Sequence, residues 1–309
     1  MAQNERSIIN ASGTNFSGRR GLNLAAIMGR RKGFVCMLAG TLAVCLLWYF
    51  LARAINRSLI LPDFLVTMKT FFTGWFDKKV MSNLGITLVR VFTGCVYSVA
   101  IGLPLGLLMG SSRTALVALS PYVNSIRQVP IMAWVPLSII WFGLGDGPTI
   151  FMIAMSAVFP ILINTISGVM NIDPNYKNAA RCMGAGTWQV LRDVVVPGAL
   201  PSFLTGCRLA LGGAWMSVIC AEFIATSKGF GYIMVEAQVR MNTPLLYALM
   251  IMSALVGFAM DKSIVLLEHS LTGWRYKDGA ADRCPRQKVL RGPGGARAVR
   301  YRRPLVRGE

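Results

Sequence analysis

Between two long apolar runs, residues 173–201 read DPNYKNAARCMGAGTWQVLRDVVVPGALP. Asp173 is a good helix N-cap and Pro174 suits the first helical turn. Tyr176, Ala179, Ala180 and Met183 then recur at i, i+3, i+4 and i+7, which makes one apolar stripe on a short helix. Asn175, Lys177, Asn178 and Arg181 take the other side. Gly184 offers the left-handed residue that ends a helix, and Thr187 can cap a second short helix that Pro197 closes. The expected unit is helix, turn, helix, with an alanine-rich, nearly flat face. A helix resting on lipid headgroups would bury Trp, Phe and Leu; alanines with a glycine stop let another protein's surface come close.

The sequence on either side places this unit between membrane spans. Of 309 residues 54% are hydrophobic and only 15% charged, and the mean hydropathy is +0.53, outside ordinary soluble composition. Uncharged runs recur at Phe34–Leu51, Val91–Met109, Gly147–Met170 and Thr243–Met260, each near the length that crosses a bilayer as a helix. Thr114–Gly145 carries one charge, Arg127, with prolines at Pro130 and Pro136, and reads as a broken segment feeding one crossing. Ala199–Ala225 holds Arg208 and Glu222 in otherwise apolar sequence. The expected fold is therefore an all-α integral membrane bundle of six transmembrane helices, with the polar unit between spans four and five.

An even span count returns both ends of the chain to one side. Residues 1–33 hold six Lys/Arg against one Glu, and residues 271–309 hold eleven against three acids, so both termini are expected in the cytoplasm, and the 173–201 unit with them. The organisation expected is a basic N-terminal segment (1–33), a membrane domain (34–270) and a basic tail (271–309). The net charge of +19 lies mostly in those ends, seventeen of 32 bases, without aromatic interleaving, which points to anionic lipid and away from nucleic acid.

Catalytic chemistry has little to stand on. Seven cysteines form no CxxC pair and the single histidine, His269, lies at the end of the last span, so neither a multi-histidine metal site nor a His-based triad is expected. A phosphate-cradling Walker A loop is missing: Gly13–Arg20 has the glycine spacing but Arg in place of Lys and no hydroxyl after it. Charges within spans are expected to be functional or paired, because each costs about 2.5–3.5 kcal/mol at the bilayer centre. Arg90 lies near a span end and can snorkel. Arg127 and Glu222 are candidates for a substrate pathway. Arg208 and Glu222, fourteen residues apart, are separated by about 21 Å along one helix and cannot pair. Gly94, Ser98, Gly102, Gly106 and Gly110, with Gly206, Ala210 and Ala214 on another span, form small-residue ladders that admit a close helix neighbour.

The polar unit resembles a known family. Asn178-Ala179-Ala180, then Gly184, then Val194-x-Val196-Pro197 is similar to the EAA signature of ABC importer permeases, E-A-A-x3-G-x9-I-x-L-P. RQVPIMAWVPLSIIWFGLGDGPTIFMIAMSAVFPILINT and GCRLALGGAWMSVICAEFIATSKGFGY look like the permeases for nitrate, sulfonate and taurine. The resemblance covers roughly residues 80–275. It implies a type I importer permease whose coupling helix (Tyr176, Asn178, Ala179, Ala180, Arg181, Met183, Gly184) docks on a separate ATP-binding subunit. It also implies a permease homodimer in the bacterial inner membrane, a small anion as substrate, an extracytoplasmic binding protein, and ATP used only by the partner. The family's leading acid is Asn178 here, so an ion pair made by that acid is replaced by an amide. The rivals are a secondary transporter, for which no internal repeat is visible, and a membrane enzyme, for which a polar catalytic cluster is missing.

Overall fold

The computed structural model describes residues 18–55 and 57–271, with side chains over 36–55 and 57–268. Most of the 1–33 segment, the 271–309 tail beyond its first residue, and the side chain of His269 lie outside the described residues. Among the described residues all regular structure is helical: α1 Gly18–Ile55, α2 Phe64–Gly74, α3 Lys78–Ser111, α4 Arg113–Ile126, α5 Trp134–Phe142, α6 Asp146–Met170, α7 Pro174–Cys182, α8 Thr187–Gln189, α9 Val196–Ala225, α10 Phe230–Val239 and α11 Thr243–Leu271.

Among the described residues five helical stretches are long and apolar enough to cross a membrane: Cys36–Ile55, Lys78–Ser111, Asp146–Met170, Thr187–Ala225 and Thr243–Glu268. A sixth follows if α4 and Ile131–Phe142, bent by 80° at their junction, count as one broken span. The break falls at Arg127–Pro130, where proline disfavours helical geometry in the residue before it. Two short helices were not expected. α2 and α10 have 11 and 10 residues, too few to span.

One local expectation fails. Pro197 does not close a second short helix; α8, a π-helical stretch over Val190–Val195 and α9 run on as the continuous Thr187–Ala225 helix. A π stretch widens the ladder just where proline cannot donate, and Pro197 then sits in the first turn of α9, which needs no donor from it. The helix is capped by Gly186, not Thr187, and Gln189 Oε1 accepts from Gly186 N at 2.8 Å.

The chain divides into two compact units, one drawing on Met1–Gly94, Pro130–Ile153 and Trp215–Gly257 and the other on Cys95–Val129, Ala154–Ala214 and Phe258–Glu309, within the described residues. In the second unit the α3 ladder finds its partner. A Cβ on Gly106 would lie 2.7 Å from Thr165 Cβ and 3.1 Å from Leu162 O, and one on Gly110 2.7 Å from Val169 Cβ; Ser98 Oγ donates to Ala154 O at 3.1 Å. The small residues thus let α6 lie against α3. Gly168 and Gly206 do the same between α6 and α9, meeting Ser202 and Pro160 O. In the first unit Val135, Met152 and Ala221 form a buried apolar cluster.

Gly106→Leu should force α3 and α6 apart, an overpacking cost of typically about 1–3 kcal/mol, whereas Gly85→Ala on the same helix meets nothing within 4 Å. Thermal unfolding of the purified protein in detergent should show a lowered midpoint for the first and none for the second.

Candidate functional site

α7 is built as its sequence dictates. Asp173 Oδ1 accepts from Asn175 N at 2.9 Å. At the other end Gly184 N donates to Arg181 O and Ala185 N to Ala180 O, both at 3.0 Å, the two bonds of a Schellman stop. Gly184 adopts φ +88° there, which glycine tolerates and other residues resist.

The predicted face of α7 splits in two. Tyr176 is 68% exposed and Met183 82%, and Asn178, Ala179, Arg181 and Gly184 are exposed too. Ala180 is only 9% exposed. It packs with Val169, Val190, Val195 and Ala199 in the chain's own core. Lys177, placed on the solvent side by its polarity, lies half-buried and its Nζ donates to Val169 O at 3.2 Å, satisfying one of the open carbonyls at the α6 C-terminus. The helix therefore rests on its Ala180–Lys177 edge and presents Tyr176, Ala179 and Met183 outward, with exposed Trp188 nearby in sequence, a residue the sequence reading passed over.

The buried charges of the first unit, Arg90 and Glu222, lie in one cluster. Glu222 is fully buried and Arg90 5% exposed, so Arg90 does not snorkel. Its Nη1 donates to Glu222 Oε1 at 2.7 Å and to Lys228 O at 2.8 Å, and its Nε to Asp146 Oδ1 at 2.8 Å. Thr87 Oγ1 donates to Glu222, at 2.8 Å to Oε1, and Gly231 N to Oε2 at 2.8 Å. Phe230 N donates to Thr87 Oγ1, and Gly229 N to Asn83 Oδ1 at 2.7 Å. Every polar atom of the pair is satisfied, which burial of charge demands. Glu222 therefore has no surface to offer a substrate, and it acts by fastening the corner between α9 and α10 to α3. Arg127 is exposed at the end of α4, in the second unit. On α10, which is not a span, the hydrogen bond from Lys79 at the start of α3 holds the Glu236 carboxyl below the usual carboxylate range, with Lys79 Nζ at 2.7 Å. That contribution is present at neutral pH and is lost as the pH falls through the lowered value.

Comparison with known proteins identifies a chain of apolar spans of this kind. The family described as the binding-protein-dependent transport system inner membrane component matches residues 102–273. The chain belongs to that family. The taurine transport system permease protein TauC of Escherichia coli is 32% identical over 247 residues, covering 78% of this chain and 90% of that protein. The bicarbonate transport system permease protein CmpB of Synechococcus elongatus is 29% identical over 278 residues, covering 84% and 98%. A solved structure titled as an inward-facing conformation of the MetNI methionine ABC transporter superposes with a TM-score of 0.55 at 20% identity, over 60% of this chain and 92% of that one, which shows a shared fold. The chain is an ABC importer permease of the group that includes the nitrate, sulfonate and taurine permeases.

Proposed function

We propose that this permease carries a small anion across the inner membrane as the homodimeric core of an importer. Two ATP-binding subunits dock on α7 and an extracytoplasmic binding protein delivers the substrate. The observation that carries the docking reading is the outward stripe of Tyr176, Ala179 and Met183 on a helix locked at both ends, with Ala180 and Lys177 anchoring it to α6. A helix so held moves as a lever with the span it rests on, and closure of the ATP-binding subunits would pull on it. Asn178 stands where the family carries an acid, so the partner is gripped through apolar contact and amide hydrogen bonds at that point. The anion reading is supported by the names of relatives, taurine and bicarbonate permeases, whose substrates share a compact oxyanion. The basic residues at the chain ends support a cytoplasmic position for both termini and, by the even span count, for α7.

Two experiments test this. Reporter fusions at residue 309 and within 171–186 should both report cytoplasm, and an extracytoplasmic signal from either would sink the topology. Membrane vesicles holding the whole complex and loaded with binding protein should accumulate labelled taurine, nitrate or bicarbonate only with ATP. Accumulation of none of the three, with the complex intact, would remove the anion reading.

A further inference from the structure

One ion pair between two of the spans stands apart from the buried cluster. Arg208 on α9 donates from Nε to Asp261 Oδ1 on α11 at 2.8 Å and from Nη2 to Asp261 Oδ2 at 3.1 Å. Both helices belong to stretches long and apolar enough to span. The depth of the pair follows from its neighbours. Two residues before Arg208, a Cβ on Gly206 would lie 3.0 Å from Pro160 O and 3.2 Å from Ile161 Cα. Pro160 is ten residues short of the α6 end at Met170, so the pair sits about 15 Å from the α7 end of that span at 1.5 Å per residue. That is well inside a hydrocarbon core about 30 Å thick.

At that depth the pair is open. The Arg208 side chain is 42% exposed and that of Asp261 38%, against 6% and 0% for Arg90 and Glu222. Charged side chains within spans face a bundle interior or a water-filled cavity and avoid lipid, so the open side of this pair faces the path or another chain. The geometry of the guanidinium decides what it can hold there. Asp261 takes the Nε–Nη2 edge. Of the five N–H donors of arginine this leaves the Nη1–Nη2 edge, a second planar fork that matches two oxygens of a carboxylate, nitrate, bicarbonate or sulfonate. Arg90 has no such edge, since Asp146, Glu222 and Lys228 O occupy all three of its nitrogens.

We propose that Arg208 is a contact for the transported anion midway through the membrane, with Asp261 as its resident counter-ion. The inference rests on the anion reading given above and names the residue that serves it. Asp261 holds the guanidinium in one orientation, with Lys262 and Glu268 as the further charges of α11 that act on the pair. An arriving anion shares the guanidinium with Asp261 and is held weakly, as passage requires: tight enough to enter and loose enough to leave.

The test uses the assembled transporter in vesicles, with uptake of taurine, nitrate and bicarbonate measured beside the amount of complex. Arg208→Gln, and the double variant Arg208→Gln with Asp261→Asn, should both assemble yet lose uptake at least tenfold. Asp261→Asn alone, which removes the competing carboxylate, should lower the apparent KM severalfold and slow the maximal rate. Arg208→Lys should keep the charge but lose part of the uptake, since an ammonium lacks the planar fork. If the pair merely staples two helices, the neutral double variant restores assembly and uptake together, which would overturn the proposal. So would dissociation of the permease into single copies on loss of Arg208, for the open edge would then serve a second copy of the chain. Failure of the wild type to take up any of the three anions strikes the anion reading itself, an outcome separate from these two.

Discussion

Arg90→Leu should abolish accumulation of the folded protein. The substitution leaves Glu222 charged, fully buried and stripped of its cation, and breaking a buried ion pair from one side costs about 3–5 kcal/mol, a large part of the stability of an ordinary domain. The same substitution frees Lys228 O and Asp146, which Arg90 holds, so the corner between α9 and α10 loses its fastening as well. Glu222→Gln should be milder, because the amide oxygen can still accept from Thr87 and Arg90 on the Oε1 side, although the amide nitrogen then faces the Gly231 N–H that Oε2 accepted. Gly229→Ala should approach the Arg90→Leu result from the backbone side: at φ +122° its Cβ would stand 2.4 Å from Glu222 Cδ, where neither the dihedral nor the space admits a methyl group. Membrane abundance and thermal midpoint of the detergent-purified protein read all three, with the order of loss Arg90→Leu, Gly229→Ala, Glu222→Gln. Normal abundance and midpoint for Arg90→Leu would show that the cluster is incidental to folding.

The second large effect separates two adjacent alanines. Ala180→Glu places a carboxylate among Val169, Val190, Val195 and Ala199, where no partner awaits it, so the loop should come off its seat and the protein should become protease-sensitive within 171–186. Ala179→Glu puts the same charge on the exposed face. Abundance and protease resistance should stay at the wild-type level while ATP-dependent uptake falls at least tenfold, because a carboxylate would be desolvated against an apolar cleft. Lys177→Ala should behave like a weak form of Ala180→Glu, since it uncaps the Val169 carbonyl. Equal loss of uptake with equal protease sensitivity for Ala179→Glu and Ala180→Glu would erase the distinction between docking face and seating edge.

The apolar runs were legible because span length and lack of charge are composition signals, and α7 was legible at both ends because Asp173 and Gly184 carry their own geometry. Which edge of α7 faces inward was not. Tyr176, Ala179, Ala180 and Met183 lie within one arc of about 100° on a helical wheel, and the sequence does not say that α6 takes the Ala180 side of that arc. The ladder on α3 announced a close neighbour without identifying α6. The charge pairs were hidden by distance along the chain: Arg90 and Glu222 are 132 residues apart and Arg208 and Asp261 are 53 apart. Considered alone, Arg90 looked like a snorkelling residue and Glu222 like a pathway acid, whereas together they satisfy each other. α10 was hidden for a different reason, as ten mostly apolar residues, FGYIMVEAQV, are too few to register as a span and too apolar to register as a loop.

The most direct measurement is purification of the tagged chain from its native membrane in mild detergent, followed by identification of what co-elutes and reconstitution of the eluate into liposomes. The account predicts an ATP-binding subunit bearing its own Walker A loop, present in a ratio of one per permease chain, and uptake that requires ATP and binding protein. A chain that elutes without an ATPase and drives uptake from an ion gradient alone would contradict it.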